Sequence, residues 1–362
     1  MILSALFSIA VFVAVLFVLV IVHEWGHFFT ARRFGVRVYE FGFGFPPKIC
    51  KIFHKNGTDF TANWIPLGGF VRLKGEDGSD AHDADSFANK AMWKRLVILF
   101  AGVAMNFVLG FVIFFGLFAH GSEMATADAG AGAVFSNERI VIGAVIAGSP
   151  AARAGFLRGD EVAVINDISI SHAEQVPQIV KAHAGQPLNI TVRRSGSEKK
   201  MTATPVELQP GMVAIGLQVF DVAFVRYPVV AALKQAGRTT GEISQLIFKT
   251  LGTIVSKLVR HGQLEQGVSG PVGIAAVTGT VARAGWTPLL QLTAMLSINL
   301  GILNALPIPS LDGGRALFVV LEKITRRKMR ADIERVAHIV GFVLLMALVI
   351  VVTYRDILGL IK

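Results

Sequence analysis

Four long apolar segments divide the chain of 362 residues. Each is long enough to cross the hydrocarbon core of a bilayer as a helix, which takes about 20 residues. We predict spans at residues 2–22, 94–119, 287–306 and 336–353. The chain has 53% hydrophobic and only 17% charged residues. This hydrophobic fraction is higher, and the charged fraction lower, than a water-soluble domain needs. The pattern predicts a polytopic α-helical membrane protein.

The first segment has one competing interpretation, a secretory signal peptide. Such a peptide has a basic start, a short apolar stretch and a cleavage site with small residues. This chain has no Lys or Arg before Arg32, and the polar pair His23 and Glu24 stands where cleavage would fall. We therefore expect a retained helix.

The distribution of Lys and Arg predicts the orientation. Eleven basic residues lie in 32–95 and seven in 315–335, beside apolar spans, whereas 120–227 holds nine basic against ten acidic residues. By the positive-inside rule the first two stretches face the cytoplasm, and both termini and the region 120–286 lie outside. The net charge of +10 thus reflects topology, and we expect no nucleic-acid partner.

Short alternating runs between the first two spans predict a β-hairpin within residues 56–74. Residues 58–64 and 65–73 form two runs divided by Pro66 and the Gly68-Gly69 pair. Spacing alone favours a structural hairpin. An exposed edge that pairs with an extended substrate is the alternative.

Two further regions follow the second span. Short β-branched runs broken by Gly, Pro and Asn over about 140–226 predict a small, mostly β domain with one helix near 173–184. Residues 228–262 have apolar positions at helical spacing with Lys and Arg between them. This predicts amphipathic helices on the membrane surface rather than a fifth span. Cys50 is the only cysteine, so an intrachain disulfide is excluded.

The residues that indicate a catalytic function lie at the end of the first span. His23 and His27 stand four apart, so a helix places both imidazoles on one face. Two such histidines suit one Zn²⁺, and Glu24 between them is the residue type that takes a proton from a metal-activated water. A polar pair packed inside a helix bundle is the alternative, but two histidines and a glutamate at membrane depth favour a functional site.

The third zinc ligand is predicted at Asp312. A catalytic zinc site usually has three protein ligands and one open position, so a further ligand must come from elsewhere in the chain. Asp312 follows the third span on the same predicted inner side as the histidines. Pro307, Pro309, Gly313 and Gly314 interrupt regular helix there and leave backbone groups that could hold a substrate chain.

Several motifs together carry a resemblance to a known family. They are His23-Glu24-Trp25-Gly26-His27, Pro66-Leu67-Gly68-Gly69-Phe70-Val71, Ala101-Gly102 with Asn106-Phe107, Gly270-Pro271-Val272-Gly273, and Asn304 with Pro307, Pro309 and Leu311-Asp312-Gly313-Gly314. With these motifs the chain resembles the site-2 protease family of intramembrane zinc metalloproteases, peptidase family M50, and within it the RseP-type branch of regulator-of-sigma-E proteases. The similarity runs over essentially the whole chain.

The resemblance implies a role for each motif. His23, His27 and Asp312 would bind Zn²⁺, and Glu24 would act as general base. Asn304 would hold substrate or stabilise the oxyanion, and the loop at residues 68–71 would offer a strand edge to an unwound substrate helix. The implied substrate-binding residues are Asn304, Pro307, Pro309, Gly68, Gly69, Phe70 and Val71.

The β region resembles a single PDZ domain, through residues 148–160 and Ile165-Asn166. Its groove, which could take peptide C-termini, would then involve Ile142, Gly143, Ala144 and Val145. Two departures from the family pattern stand out. Val103 occupies a position where members often have Pro, and the chain has room for one PDZ domain where the sigma-E branch commonly has two.

The implied function is hydrolysis of peptide bonds within transmembrane segments of single-span proteins in the bacterial inner membrane. Anti-sigma factors or remnant signal peptides, already trimmed outside, would be typical substrates. A non-catalytic membrane PDZ adaptor is the alternative, and it predicts a broken His-Glu motif or a missing third ligand. An ion transporter using intramembrane His and Asp is a third interpretation, but transporters usually show internal repeats, and we detect none.

The predicted organisation follows the chain. It comprises a span with the zinc motif (1–33), a cytosolic-side loop with a membrane-associated hairpin (34–93), a second span (94–119), the extracytoplasmic PDZ domain (120–226), amphipathic membrane-surface helices (227–286), a third span with the third ligand (287–314), a basic cytosolic loop (315–335), and a fourth span with the C-terminus (336–362).

Overall fold

The computed structural model describes residues 2–76, 80, 82–261, 269–326 and 331–361. The chain forms two compact units, Met1–Phe114 with Ala236–Lys362, and Phe115–Gln235. The helices are α1 (Ile2–Arg33), α2 (Met92–His120), α3 (Pro150–Ala154), α4 (Gln175–Ala182), α5 (Val229–His261), α6 (Pro271–Ala284), α7 (Trp286–Ala305), α8 (Asp312–Thr325) and α9 (Ala331–Ile361). The strands are β1 (Val38–Lys55), β2 (Thr58–Leu73), β3 (Ser122–Ala125), β4 (Val134–Val145), β5 (Glu161–Ile165), β6 (Ile168–Ser169), β7 (Leu188–Arg194), β8 (Ser197–Ala203), β9 (Val206–Gln209), β10 (Met212–Ala214) and β11 (Leu217–Arg226).

Four helices in the described part of the chain are long and apolar enough to cross a membrane. They contain the segments Leu3–Arg33, Met92–His120, Trp286–Ala305 and Arg335–Gly359. Large apolar side chains stay exposed on them, such as Leu344 at 65%. Such exposure is costly in water and favourable against lipid. The prediction of a polytopic helical membrane protein with a β region is confirmed at this level.

The hairpin between α1 and α2 is longer than predicted. Strand pairing begins at Val38 rather than near residue 56, and β1 and β2 run antiparallel. The sequence pattern missed β1 because its Phe, Gly and Pro residues do not alternate cleanly with polar ones. Asn56 and Gly57 make the turn with φ of 51° and 80°, the left-handed pair of a tight Asn-Gly hairpin.

Pairing within this hairpin leaves one segment of β2 at an edge. Phe41 of β1 faces Phe60 on one side and Val71 on the other, so the first half of β1 lies between two parts of β2. The second half of β1 pairs back on residues 58–63, as in Cys50 with Ala62. Residues 69–73 are therefore outermost, and none of the described strands pairs with their other side.

Aromatic packing fixes the hairpin to the end of α1. The Phe28 ring lies 5.6 Å from Phe41 and 5.8 Å from Phe60, both edge-on, and the Phe41 and Phe60 rings stack. These rings are almost fully buried in a core that also includes Val71 of the edge segment. Edge-on and stacked ring pairs add about 0.5–1.5 kcal/mol each beyond area burial. The edge segment thus has a fixed place beside α1.

The second unit is mostly β, as the run pattern predicted. Its main sheet has the order β3-β11-β4-β5-β7-β8, with β6 on β5, and α4 lies within the predicted 173–184. Its core contains buried aliphatic side chains and one phenylalanine, among them Ile142, Phe156, Ile165, Leu188 and Val192. Ser149 caps the short α3 by accepting the Ala152 N–H, and Gly155 ends it at φ 86°.

The predicted groove residues Ile142, Gly143, Ala144 and Val145 lie on an inner strand. β11 pairs with β4 along this stretch, and on the other side Ile142 donates its N–H to the Asp160 carbonyl and accepts from the Gly159 N–H. A peptide cannot add a strand at Ile142 for that reason. The free edge lies one strand away, because β3 pairs with β11 only from Val222 onward and leaves residues 217–221 without a second partner among the described strands. The sequence alone does not reveal this pairing, because it does not show which strand flanks which.

The stretch predicted as amphipathic helices contains α5 and α6, and residues 262–268 of it lie outside the described part. Val229, Val230, Leu246 and Phe248 of α5 expose more than half of their surface. Its position on a membrane surface stays a prediction.

A buried ion pair in the β unit gives a pH-dependent prediction. The Asp160 carboxylate is 1% exposed and accepts from Arg194 Nε and Nη2, both at 2.6 Å, and from the Leu157 N–H at 2.9 Å. Burial alone would raise the pKa of Asp160, but these donors hold it below its ordinary value. A depressed carboxyl pKa stabilises the fold above the unfolded value near 3.9 and loses that effect as the pH falls.

We expect Asp160→Asn to lower the free energy of unfolding of the β unit at pH 7 by about 2 kcal/mol, since bonds to a charged group contribute about 1.5–3 kcal/mol. Calorimetry of the detergent-purified protein measures this, and the difference from wild type should shrink as the pH falls below the folded-state pKa. A difference that stays constant at low pH would contradict the assignment.

Candidate metal centre

The two histidines of α1 form the first part of the site. They lie one helical turn apart with their Nε2 atoms separated by 3.1 Å, and both side chains are buried. The helix before them is apolar from Ile2 to Val22. His27 lies five residues, about 7–8 Å, before Arg32, where the helix becomes basic. The site therefore lies inside the apolar part of α1, near its basic end.

Asp312 meets the histidines from another part of the chain. Its Oδ2 lies 3.0 Å from His23 Nε2 and 3.3 Å from His27 Nε2. Three ligand atoms at 2.0–2.1 Å from a tetrahedral Zn²⁺ would be about 3.3 Å apart, close to the observed triangle. Asp312 Oδ2 is buried, and within the described structure it meets no donor at hydrogen-bonding geometry. Three converging atoms with an unsatisfied oxygen among them fit a metal ion.

The outer ring nitrogen of His27 is held by α2. Its Nδ1 lies 2.9 Å from the Ile98 carbonyl, which can only accept a hydrogen bond. The proton of the neutral ring must then reside on Nδ1, which leaves Nε2 bare toward the site. Ile98 carried no sequence signal, because the group that acts is its backbone carbonyl.

The helix α2 lies close to α1, and the absence of a side chain at Gly102 leaves room for both imidazoles. A methyl group at Gly102 would overlap His27 Nε2 and lie 2.7 Å from His23 Cε1. One at Gly26 of α1 would overlap the Ala101 carbonyl. The sequence shows the Ala101-Gly102 pair only as part of a motif, and the structure gives the physical reason for it.

A non-helical loop at residues 306–311 places Asp312 beside the two histidines. Methyl groups at Gly313 and Gly314 would overlap the carbonyls of this loop, so α8 can begin there only with glycine. The Ser310 N–H donates to His338 Nδ1 of α9 at 2.8 Å, and Ser310 has a φ of 83°. Pro309, a predicted substrate residue, packs its carbonyl against Gly341 of α9, while Pro307 is exposed.

The edge segment of β2 passes beside Glu24. A methyl at Gly69 would lie 3.4 Å from Glu24 Cγ and 3.1 Å from Val20, so the strand crosses this face of α1. Of the predicted residues 68–71, the structure thus brings Gly69 next to Glu24. Asn304 joins them, with its Nδ2 3.4 Å from His23 Nε2.

An ion pair connects the end of this edge segment to α8. Arg315 pairs with Glu76, and the other oxygen of Glu76 accepts the Leu73 N–H at 3.1 Å. Leu73 ends β2, and Arg315 lies one turn after Asp312. Sequence reasoning did not link these residues, since 239 positions separate them.

The arrangement can perform metal-assisted hydrolysis. Three converging ligand atoms would leave one position of a tetrahedral zinc ion open, and a carboxylate, an amide and a free strand edge lie beside these atoms. The adaptor interpretation predicted a broken motif or a missing third ligand, and the described residues contain neither defect. These features define a membrane-embedded metallohydrolase.

Comparisons with known proteins agree with this class. Residues 11–348 match the model of peptidase family M50. The chain is 31% identical to the zinc metalloprotease RasP of Oceanobacillus iheyensis over 97% of this chain and 98% of that protein. It is 30% identical to RasP of Geobacillus kaustophilus over 97% of both. The chain belongs to peptidase family M50; it is a zinc metalloprotease, and its cofactor is Zn²⁺.

We expect Gly102→Ala to abolish zinc binding, because the added methyl would occupy space that the two imidazoles fill. Zinc content of the purified variant, measured by atomic absorption, checks this. Gly116→Ala is the matched control on the same helix, since a methyl there would meet nothing within 4 Å. Normal zinc content in Gly102→Ala would show that the α2 contact does not shape the site.

Proposed function

We propose that this protein hydrolyses peptide bonds within the transmembrane segments of single-span membrane proteins. The observation that carries the proposal is the position of the metal-binding triangle, inside the apolar part of a helix long enough to span the bilayer. A soluble substrate would not need a site there, and polar groups at such depth are costly unless they serve a function.

His23, His27 and Asp312 would hold the Zn²⁺. When bound, the ion supplies Lewis acidity that polarises the scissile carbonyl and acidifies the attacking water. Glu24 takes the proton of that water at its carboxylate and passes it to the nitrogen of the leaving amine. Asn304, with its amide 3.4 Å from His23 Nε2, can donate to the developing oxyanion.

A helical substrate must unwind before it can be cut, because its carbonyls are engaged in helix hydrogen bonds. The edge formed by residues 69–73 can replace those bonds by strand addition, and it lies beside Glu24. In hydrocarbon such an open edge is tolerated only when it faces protein or water. A substrate strand paired with the edge would supply the missing hydrogen bonds. The helix interruption around Pro307 and Pro309 would offer further backbone groups.

The β unit acts as a PDZ domain in this proposal. Support comes from the capped α3 after residue 148 and from the edge of β11 at residues 217–220. This edge lies next to Asp221, whose side chain accepts the Ala173 N–H at 2.7 Å just before α4. We assign the peptide groove to this edge in place of residues 142–145. The unit would recognise chain ends that earlier trimming exposes, on the extracytoplasmic side of a bacterial inner membrane. Both termini would lie on that side too.

Glu24→Gln should abolish cleavage of a single-span reporter helix and leave zinc content near that of wild type, because Gln keeps the size of the side chain and loses the base. The assay uses detergent-purified protein, with and without a zinc chelator. Glu138→Gln, an exposed glutamate of β4, is the matched control and should stay active. Full activity of Glu24→Gln would refute the base assignment, and chelator-resistant cleavage would refute the metal mechanism.

Strand addition predicts a directional cross-link. In a Glu24→Gln background with the exposed Cys50 changed to Ser, Phe70→Cys should form a disulfide with a single-cysteine substrate helix. Val71→Cys should not, since that side chain is buried in the core on the opposite face. Lys51→Cys, on the other outer segment of the hairpin, should also fail. Equal cross-linking at positions 51 and 70 would contradict edge pairing.

A further inference from the structure

One buried amide beside the metal centre has no role in the mechanism above. Asn106 of α2 is fully buried, one turn after Gly102, and its side-chain amide lies 3.2 Å from His23 Nδ1 through Nδ2. Its Oδ1 is buried and, within the described structure, accepts no hydrogen bond. A buried acceptor without a donor costs about 1–3 kcal/mol, so its place beside a metal ligand calls for a reason.

His23 requires an acceptor at this point if it binds metal. Its Nε2 lies 3.0 Å from Asp312 Oδ2, so Nε2 is the ligand atom and Nδ1 must carry the ring proton. Histidine ligands almost always donate that proton to a carboxylate, carbonyl or water, which fixes the tautomer and raises the basicity of the ligand. For His27 the Ile98 carbonyl does this.

We propose that Asn106 is the corresponding positioning residue for His23, and that its Oδ1 accepts the Nδ1–H of the metal-binding tautomer. The two ends of an amide have the same shape, so a half-turn about the Cβ–Cγ bond brings Oδ1 to the place of Nδ2. With Nδ2 toward the ring, the amide suits the other tautomer, whose Nε2–H points at Asp312. The residue can therefore stabilise His23 in both forms.

The surroundings hold Asn106 in place for this task. Ser297 of α7 donates its hydroxyl to the Asn106 backbone carbonyl at 2.8 Å. Gly301, one turn further along α7, leaves room for the Asn106 side chain, since a methyl there would lie 3.3 Å from Asn106 Cβ. The side chain is thus held in place between α1, which carries His23, and α7.

This inference rests on the proposed ligand role of His23, and the experiment separates the two. Zinc dissociation constants are measured in detergent by competition with a fluorescent chelator for His23→Ala, Asn106→Leu, Asn106→Asp and Ser297→Ala. We expect Asn106→Leu to bind zinc about 10- to 100-fold more weakly, the usual cost of losing such a partner. Asn106→Asp, which keeps an acceptor, should stay within a few-fold of wild type, as should Ser297→Ala, which keeps the amide.

Wild-type affinity in Asn106→Leu, together with lost binding in His23→Ala, would overturn this inference and leave the proposed function intact. Wild-type affinity in His23→Ala would overturn the ligand set itself. If Asn106→Leu fails to fold, ¹⁵N-histidine NMR of the zinc-loaded wild type decides. A proton on His23 Nδ1 with a metal-shifted Nε2 supports the inference, and an unprotonated Nδ1 refutes it.

Discussion

The close approach of α1 and α2 is the constraint on which the metal centre depends. Gly26 and Gly102 allow the two backbones to come so near that any side chain at either position would overlap the other helix or the imidazoles. This contact buries His23 and His27 and brings the Ile98 carbonyl and the Asn106 amide to their outer nitrogens. Polar side chains in an apolar helix are thereby satisfied by protein rather than by water, which is the condition for placing them at membrane depth.

The rest of the site is built by interruptions of regular structure. α7 ends at Ala305, and a short loop turns the chain so that Asp312 begins α8 within 3.3 Å of both histidines. α9 stabilises that loop through His338, and Glu76 ties α8 to the end of β2 through Arg315. A carboxylate delivered by a loop needs such supports, because a loop alone would not hold a ligand to within tenths of an ångström.

The free strand edge lies beside Glu24, the proposed general base. A protease for helical substrates has to offer the backbone an alternative to its own hydrogen bonds, and an unpaired strand offers one at each residue. Aromatic packing among Phe28, Phe41 and Phe60 fixes that edge against α1. In the proposed mechanism, substrate binding and catalysis would thus both depend on α1.

The sequence by itself determined the membrane spans and the paired histidines, because hydropathy and helical spacing are local properties. It also indicated Asp312, which follows the third span on the same predicted side as the histidines, after prolines that interrupt the helix. Tertiary structure decided the rest: that β1 begins at Val38, that residues 69–73 form an edge, that the free edge of the β unit lies on β11, and that Asn106 meets His23. Each of these depends on which distant segment becomes a neighbour, and local pattern carries no information about that.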